Sequence, residues 1–365
     1  MKSNYKRLGD YIQLVKDKNQ DTLITNLLGI NIDKFFMPSV ANIVGTDLST
    51  YKIVREGQFA CNRMHVGRDY RIPIALSRSK EPFIVSPAYS VFEIIDTSVL
   101  FPEYLMMWFS RKEFDRNAWF HTDADVRGGL PWELFCELEL PLPAIEKQRE
   151  IVNEYNTIQK RIELNNQLIQ KLEDTAQTIY KQWFVEEIDL ENLPEGWRFG
   201  KLPDLIEVKY GKAYSHLEEG EIPLYGSGGL MSKVNKALYT KPSVLIPRKG
   251  TLNNIMFVNH PFWCVDTMFY SILNNEICGY YAYYILKQLD FDVLNQGSAV
   301  PSMTTAFLND IDVIVPNENI LKDFNDKLNR IIAQKENIEK ENQKLTEIKD
   351  LLLAKMTKIE NVLSK

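Results

Sequence analysis

The C-terminal part of the chain carries an apolar residue at every seventh position. These residues are Phe324, Ile331, Ile338, Leu345, Leu352 and Ile359. Ile151, Ile158, Leu172 and Ile179 follow the same spacing near the middle of the chain, where Asn165 interrupts it. A narrow apolar stripe with this period is typical of a long helix that pairs with another helix.

The two apolar stripes lie in duplicated sequence. Ile162–Asp174 and Ile338–Asp350 are aligned without a gap at a separation of 176 residues. Identical pairs occur at Ile162/Ile338, Glu163/Glu339, Asn166/Asn342, Gln167/Gln343 and Asp174/Asp350. Similarity at a fixed separation indicates an internal repeat.

Each copy predicts a helix of roughly forty residues, about 60 Å long at 1.5 Å per residue. Each copy also follows a globular segment of similar size, which favours antiparallel pairing of the two helices within one chain. An exposed charged helix and a zipper between chains are the alternatives. The predicted interface consists of Ile151, Ile158, Ile162, Ile169, Leu172, Ile179, Phe324, Ile331, Ile338, Leu345, Leu352 and Ile359.

The remaining sequence predicts two α+β segments. The first segment begins with strand-like stretches, which are followed by a bulky apolar helix and a closing strand. The second segment repeats this order. The piece beginning at Lys201 is similar to the piece beginning at Arg7, although the first segment has roughly twenty more residues in its loops. The predicted regions are residues 1–143 (first globular segment), 144–186 (first helix), 187–316 (linker and second globular segment) and 317–365 (second helix).

Composition and motifs exclude several classes of protein. Hydrophobic residues make up 45% and charged residues 25% of the 365 residues, and neither a membrane span nor a secretion signal is evident, so we expect a cytoplasmic protein. The four cysteines and four histidines lack metal-site spacing, and we predict no metal. Because phosphate-cradling, zinc-protease and nucleophile-elbow motifs are absent, catalysis by this chain is not expected.

Charge is unevenly distributed despite a formal net charge of −6. No Asp or Glu occurs from Ile222 to Val265, and Asp69 is the only acid from Gln58 to Lys80. These two basic windows correspond in the repeat and include residue types that contact phosphates and base edges. The candidate DNA-binding residues are Asn62, Arg63, His65, Arg68, Tyr70, Arg71 and Arg127 in the first segment, and Tyr225, Ser227, Lys233, Arg248, Lys249, Asn253 and Asn254 in the second.

The combination resembles a known family. NNQLIQKLEDTAQTIYKQWF, from Asn165, and ENQKLTEIKDLLLAKM, from Glu341, together with the strand-to-helix junctions ELPLPAIEKQREIV and VIVPNENILKDF, look like the specificity subunit of Type I restriction-modification systems. The resemblance implies two tandem target recognition domains, each followed by a long helix, with the helices forming an antiparallel coiled coil of pseudo-twofold symmetry. Each domain would read one half of a bipartite double-stranded DNA target.

The resemblance also implies partners. The helix pair would set the spacer between the half-sites and dock two modification (methyltransferase) subunits, to which restriction (translocase and nuclease) subunits are added. This chain would hold no cofactor, because S-adenosylmethionine, ATP and Mg²⁺ belong to those partners. Asn317–Asn319 departs from the expected junction, where a stretch resembling Pro143–Gln148 would be usual.

Two other functions remain open. One is a coiled-coil adaptor that does not bind DNA and whose basic windows meet an acidic protein. The other is the specificity subunit of a related single-complex methyltransferase-nuclease, in which the mechanism is kept and the partners differ.

Overall fold

A computed structural model describes residues 5–39, 45–64, 66–122, 128–186, 188–291 and 303–356. The chain divides into two compact units. Unit 1 is Met1–Leu164 with Glu341–Lys365, and unit 2 is Asn165–Lys340. Among the described residues, no helix is both apolar enough and long enough to cross a membrane.

Unit 1 is an α+β unit built around a four-stranded antiparallel sheet. Its elements are β1 (Tyr5–Arg7), β2 (Ile12–Leu14), β3 (Leu28–Ile30), β4 (Phe36–Pro38), β5 (Lys52–Val54), β6 (Phe59–Cys61), α1 (Val66–Asp69), β7 (Ile74–Leu76), β8 (Phe83–Val85), β9 (Ser90–Ile94), α2 (Pro102–Phe109), α3 (Lys112–Phe120), α4 (Trp132–Glu137) and β10 (Glu139–Pro141), followed by the long α5 (Ile145–Lys181). The sheet order is β2-β9-β6-β7. β1 pairs with β10, β3 with β4 and β5 with β8.

The bulky apolar helix predicted for the first segment, in the stretch that begins at Phe101, is two helices in the structure. α2 ends at Phe109, where the Ser110 hydroxyl donates a hydrogen bond to the Met106 carbonyl at 2.8 Å. Arg111 then takes an extended conformation before α3 begins. Serine competes with the helix backbone for hydrogen bonds and therefore favours a helix end at this position.

Unit 2 repeats the sheet of unit 1. Its elements are β11 (Arg198–Lys201), β12 (Ile206–Tyr210), β13 (Glu219–Gly226), β14 (Gly229–Val234), β15 (Ser243–Pro247), β16 (Met256–Val258), β17 (Trp263–Cys264), β18 (Met268–Leu273), α6 (Gly279–Gln288), α7 (Thr305–Asn309), β19 (Asp312–Val315) and α8 (Glu318–Lys355). The antiparallel order β12-β18-β15-β16 corresponds strand by strand to β2-β9-β6-β7, and β11 pairs with β19 as β1 pairs with β10. β13, β14 and β17 form a further three-stranded sheet. The predicted α+β class is confirmed.

The long helices α5 and α8 pair antiparallel. Within unit 1, Arg161 Nε binds Glu341 Oε1 at 2.9 Å, and Lys349 Nζ, further along α8, binds Gln159 Oε1 at 3.1 Å. Within unit 2, Lys335 forms an ion pair with Glu173. Phe324, which precedes Lys335 on α8, has its ring centre 6.3 Å from that of Tyr180. Residue numbers thus fall on one helix as they rise on the other, and the predicted pairing is confirmed.

The apolar stripes are partly or fully buried. Of the predicted interface residues, Ile151, Ile179, Phe324 and Ile338 are buried. Half-buried positions are Ile158, Ile162, Ile169, Leu172, Ile331, Leu345 and Leu352. Ile359 lies outside the described residues. Partial burial is what one partner helix provides, because it covers only one side of a narrow stripe.

The buried positions also attach the helices to the globular cores. In unit 1, Ile151 and Val152 belong to the same core cluster as Met356 near the end of α8. In unit 2, the fully buried Phe324 packs edge-on against Phe184 at 4.9 Å. Phe184 lies in Gln182–Glu186, a π-helical turn directly after α5. Each globular core therefore includes residues from both long helices.

Different side chains anchor the starts of the two long helices. The buried Gln148 accepts a hydrogen bond from Phe101 N and donates to the carbonyls of Val99 and Pro143, all at 2.8 Å. At the second junction, Asn317 Oδ1 accepts from Ile320 N at 3.0 Å and caps α8. The unusual Asn317–Asn319 junction is therefore a helix cap.

We predict that Gln148→Ala lowers the free energy of unfolding by about 2 to 4 kcal/mol, because it leaves one buried N–H and two carbonyls without their partner. Urea denaturation measures the change. Gln167→Ala, at an exposed position of α5, is the matched control and should change stability by less than about 0.5 kcal/mol. Equal stabilities of the two variants would contradict this role for Gln148.

Candidate nucleic-acid interface

Three loops of unit 2 meet at one surface. After β12, Gly211 N donates to Met268 O at 2.9 Å, and after β15, Arg248 N donates to Thr267 O at 2.9 Å. The guanidinium of Arg248 lies 5.4 Å from the centre of the Tyr210 ring. These contacts bring the ends of two strands to the turn that precedes β18.

The β13–β14 turn joins the same surface. Asn254 Nδ2 donates to Ser227 O at 2.8 Å. Gly250 has a φ of +85°, and a Cβ atom there would lie 2.6 Å from Ser227 Oγ. Only glycine combines this conformation with so close an approach. Ser227, Arg248, Lys249 and Asn254, predicted separately, therefore lie on connected loops.

Several side chains of this surface face solvent. Lys249 and Lys212 are exposed, and neither forms an ion pair with another described residue. Tyr210 and Tyr214 are exposed as well. Amine groups that remain unpaired can contact phosphates, and exposed tyrosines can contact sugars and bases. We call Tyr210, Lys212, Ser227, Arg248 and Lys249 the unit 2 surface.

Two predicted residues of unit 2 serve the fold through their amide groups. Asn253 Oδ1 accepts from Phe291 N at 2.8 Å and its Nδ2 donates to Asp290 Oδ1 at 3.3 Å, which holds the segment after α6. The amide of Asn254 holds Ser227, as described above.

Tyr225 and Lys233 have different surroundings. The Tyr225 hydroxyl lies 3.3 Å from His260 Nε2, and burial raises the pKa of this tyrosine. Its side chain lines a cavity of about 520 Å³ together with residues of α6 and α8, among them Tyr280 and Lys335. Lys233 Nζ pairs with Glu221 at 3.1 Å.

In unit 1, Arg63 stabilises the fold. Its guanidinium donates to Ser90 Oγ at 3.0 and 2.9 Å and to the Leu130 carbonyl, and it lies 5.7 Å from the Trp132 ring centre. Asn62 Oδ1 accepts from Met64 N at 3.1 Å. A substitution at Arg63 would therefore disturb the core of unit 1 as well as any DNA contact.

The stretch from Arg68 to Ile72, which we call the Tyr70 segment, spans the end of α1 and includes the other predicted residues of unit 1. Arg68 pairs with Asp69 at 2.7 Å, and Arg71 pairs with Asp33 at 2.9 Å. Between them, Tyr70 has a φ of +56°, which is unusual for a residue other than glycine. His65 and Arg127 lie outside the described residues.

A buried ion pair holds this segment in place. Lys34 Nζ lies 2.7 Å from Asp115 Oδ1, and both side chains are almost fully buried. Burial lowers the pKa of Lys34, and the Asp115 carboxylate opposes that shift. Asp115 also accepts a hydrogen bond from Ile72 N at 3.1 Å and lies 3.7 Å from Arg71 Nε.

The sequence interpretation missed exposed residues next to the basic windows. Tyr210 and Lys212 precede the acid-free stretch of unit 2, and Arg116, Trp119 and Phe120 lie on α3, far along the chain from Arg68. For Tyr210 and Lys212, the sequence does offer a signal, because an aromatic residue and a lysine lie close together at the end of a predicted strand. No sequence signal links α3 to Tyr70, because tertiary folding brings them together.

The four cysteines are free thiols. Cys61, Cys264 and Cys278 are buried and Cys136 is half-buried, and none forms a disulfide. Burial raises the pKa of Cys61 and of Cys264 to about 12, so both thiols stay protonated. Among the described residues, no group of His, Cys, Asp and Glu side chains could hold a metal ion.

Comparison with known proteins shows what this chain is similar to. Residues 194–349 match the family described as Type I restriction modification DNA specificity domain. The chain is 20% identical to the Type I restriction enzyme HindI specificity subunit of Haemophilus influenzae, covering 96% of this chain and 97% of the relative. The chain is thus similar, along nearly its whole length, to a specificity subunit of a Type I restriction enzyme.

Other similar proteins carry related descriptions. The Type I restriction enzyme MjaIX specificity subunit of Methanocaldococcus jannaschii is 23% identical over 78% of this chain and 75% of its own. The solved S subunit of the Type-I restriction-modification system from M. genitalium has a TM-score of 0.61 at 18% identity, covering 96% of this chain and 95% of that one. A chain from a structural study of assembly of the type I R-M system has a TM-score of 0.54 at 17% identity, covering 97% of both chains. These solved structures show that the specificity-subunit fold is shared.

We predict that Asp115→Asn destabilises the protein by about 3–5 kcal/mol, because it leaves the buried Lys34 ammonium without its counter-ion. Asp17→Asn, which removes an exposed pair with Arg55, is the control and should change stability by less than about 1 kcal/mol. Thermal and urea denaturation measure both. If the two variants were equally stable, the buried pair would not fix the Tyr70 segment.

Proposed function

We propose that this chain is the specificity subunit of a Type I restriction-modification system. It reads a bipartite double-stranded DNA target, with unit 1 reading one half-site and unit 2 the other. The observation that supports this most directly is the repeated sheet order, which carries a different set of exposed polar, basic and aromatic side chains in each unit. Two readers of the same architecture with different loops suit two unlike half-sites.

The chain itself does no chemistry in this proposal. Its contribution is recognition, through lysine and arginine contacts to phosphates and through side-chain contacts to base edges. Two methyltransferase subunits dock on the α5–α8 pair and carry S-adenosylmethionine, and restriction subunits with ATP and Mg²⁺ join them. The complex acts on DNA in the cytoplasm.

The unit 2 surface provides a direct test of DNA binding. We expect Lys212→Ala with Lys249→Ala to weaken binding of the target duplex by the complete methyltransferase complex. Each lost phosphate contact should reduce the slope of log affinity against log salt by about 0.9, so the double variant should lose roughly 2 from the slope. Fluorescence anisotropy titrations over a range of salt concentrations measure this change.

Lys171→Ala, which removes an exposed lysine of α5, is the matched control and should leave the slope unchanged. An unchanged slope in the double variant would remove these two lysines from the interface. Failure of the unmodified complex to bind any duplex would favour a coiled-coil adaptor instead.

The helix pair provides a second test. We propose that its length fixes the spacer between the half-sites. Four residues inserted after Leu164 and four more after Lys340 keep the two helices matched and lengthen each by about 6 Å. At about 3.4 Å per base pair, the methylated target should gain one or two base pairs of spacer with both half-sites unchanged.

Methylome sequencing of cells that express the complete system reads out the target of this variant. An insertion in only one helix is the contrasting variant, because it shifts the antiparallel register and should reduce methylation without defining a new spacer. An altered half-site combined with the original spacer would show that the helices do not act as a ruler.

A further inference from the structure

Aromatic side chains at the C-terminal end of α3 are exposed. Trp119 is 41% and Phe120 79% exposed, whereas Phe114 on the same helix is buried. The Tyr70 ring, which is 63% exposed, lies 5.3 Å from the Trp119 ring, centre to centre. Three large aromatic side chains, one directly after α1 and two on α3, are thus left exposed. Tyr70 and Trp119 lie next to each other and Phe120 follows Trp119 in the sequence, and exposed aromatic side chains grouped in this way are typical of an interaction site.

Arginines accompany these rings. Arg68 and Arg71 flank Tyr70 in the sequence, and Arg116 lies one helical turn before Trp119 and Phe120. Arg116 is exposed and forms no ion pair with another described residue. Cations beside exposed aromatic faces suit a ligand that offers both negative charge and flat rings, as nucleic acid does.

The backbone of this surface includes one residue in an unfavourable conformation. Tyr70 is held in the left-handed region, an unfavourable conformation that persists only where the surroundings enforce it. Asp115 enforces it by binding Ile72 N and by lying beside Arg71. Because Asp115 and Trp119 are four residues apart on α3, the same helix fixes the segment and supplies the ring that contacts it.

We propose that Tyr70, Trp119 and Phe120 form an aromatic surface through which unit 1 contacts the bases of duplex DNA. The rings stack on a partly unstacked base step, and Arg116 contacts a neighbouring phosphate. This inference rests on the proposed function and names the side chains that would read the half-site of unit 1. An apolar face of a methyltransferase subunit is the competing occupant, and the experiment below distinguishes the two.

The test uses the full chain assembled with its methyltransferase subunits. Phe120→Ala and Trp119→Ala remove exposed rings, and Tyr70→Asn removes a ring while keeping a residue type that tolerates the left-handed conformation. Phe199→Ala is the matched control, because Phe199 is 63% exposed on β11 of unit 2. Anisotropy measures duplex affinity, methylome sequencing measures methylation, and mass photometry measures subunit assembly.

Each ring variant should bind the target duplex about 5- to 100-fold more weakly, by the usual contribution of one stacked base. Its salt dependence should match the parent complex, because no cation is lost. Arg116→Ala should instead reduce the slope of log affinity against log salt by about 0.9. The Phe199→Ala complex should behave as the parent in every assay.

Two results would overturn the inference. Parent-like affinity and methylation in all three ring variants would show that the aromatic surface does not contact DNA. Loss of methyltransferase subunits from the variant complexes would identify it as a protein-docking surface. Because these comparisons require a parent complex that binds its duplex, failure of the parent would count against the proposed function rather than against this surface alone.

Discussion

The fold depends on burying both ends of the helix pair in the globular cores. A charged helix with one narrow apolar stripe gains little stability alone, because its propensity and surface ion pairs contribute only fractions of a kcal/mol each. Packing of Phe324 with Phe184 and Tyr180 in unit 2, and of Met356 with Ile151 in unit 1, supplies the missing burial. Each core is complete only when both helices are in place, so pairing and folding within a unit are coupled.

The two units share the order of strands in their main sheet but differ in their loops. The two four-stranded sheets share their strand order, yet the loops that leave them differ in chemistry. Unit 1 presents rings from α3 and the Tyr70 segment, whereas unit 2 presents a glycine-rich turn beside Arg248 and Lys249. A rigid core that tolerates loop variation allows the chemistry of the loops to change without loss of the fold.

The number of basic residues in a sequence window is an upper limit on the number of basic side chains that DNA could contact there. Arg63 binds within unit 1, Arg68 and Arg71 have acidic neighbours, and Lys233 pairs with Glu221. Lys212, Lys249 and Arg116 are exposed without an ion pair among the described residues. With a net charge of −6, the chain would need partner subunits to supply additional positive potential around a duplex.

The sequence alone determined the duplication, the helix pair and the α+β class. The periodicity of apolar residues and the fixed separation of 176 residues can be read along the chain without knowledge of any tertiary contact. The sequence also located the basic windows. Only the tertiary structure decided which window residues serve the fold, since Arg63 and Asn253 are satisfied by partners distant in sequence. It also joined α3 to Tyr70 through the buried Asp115, a contact that no pattern along the chain encodes.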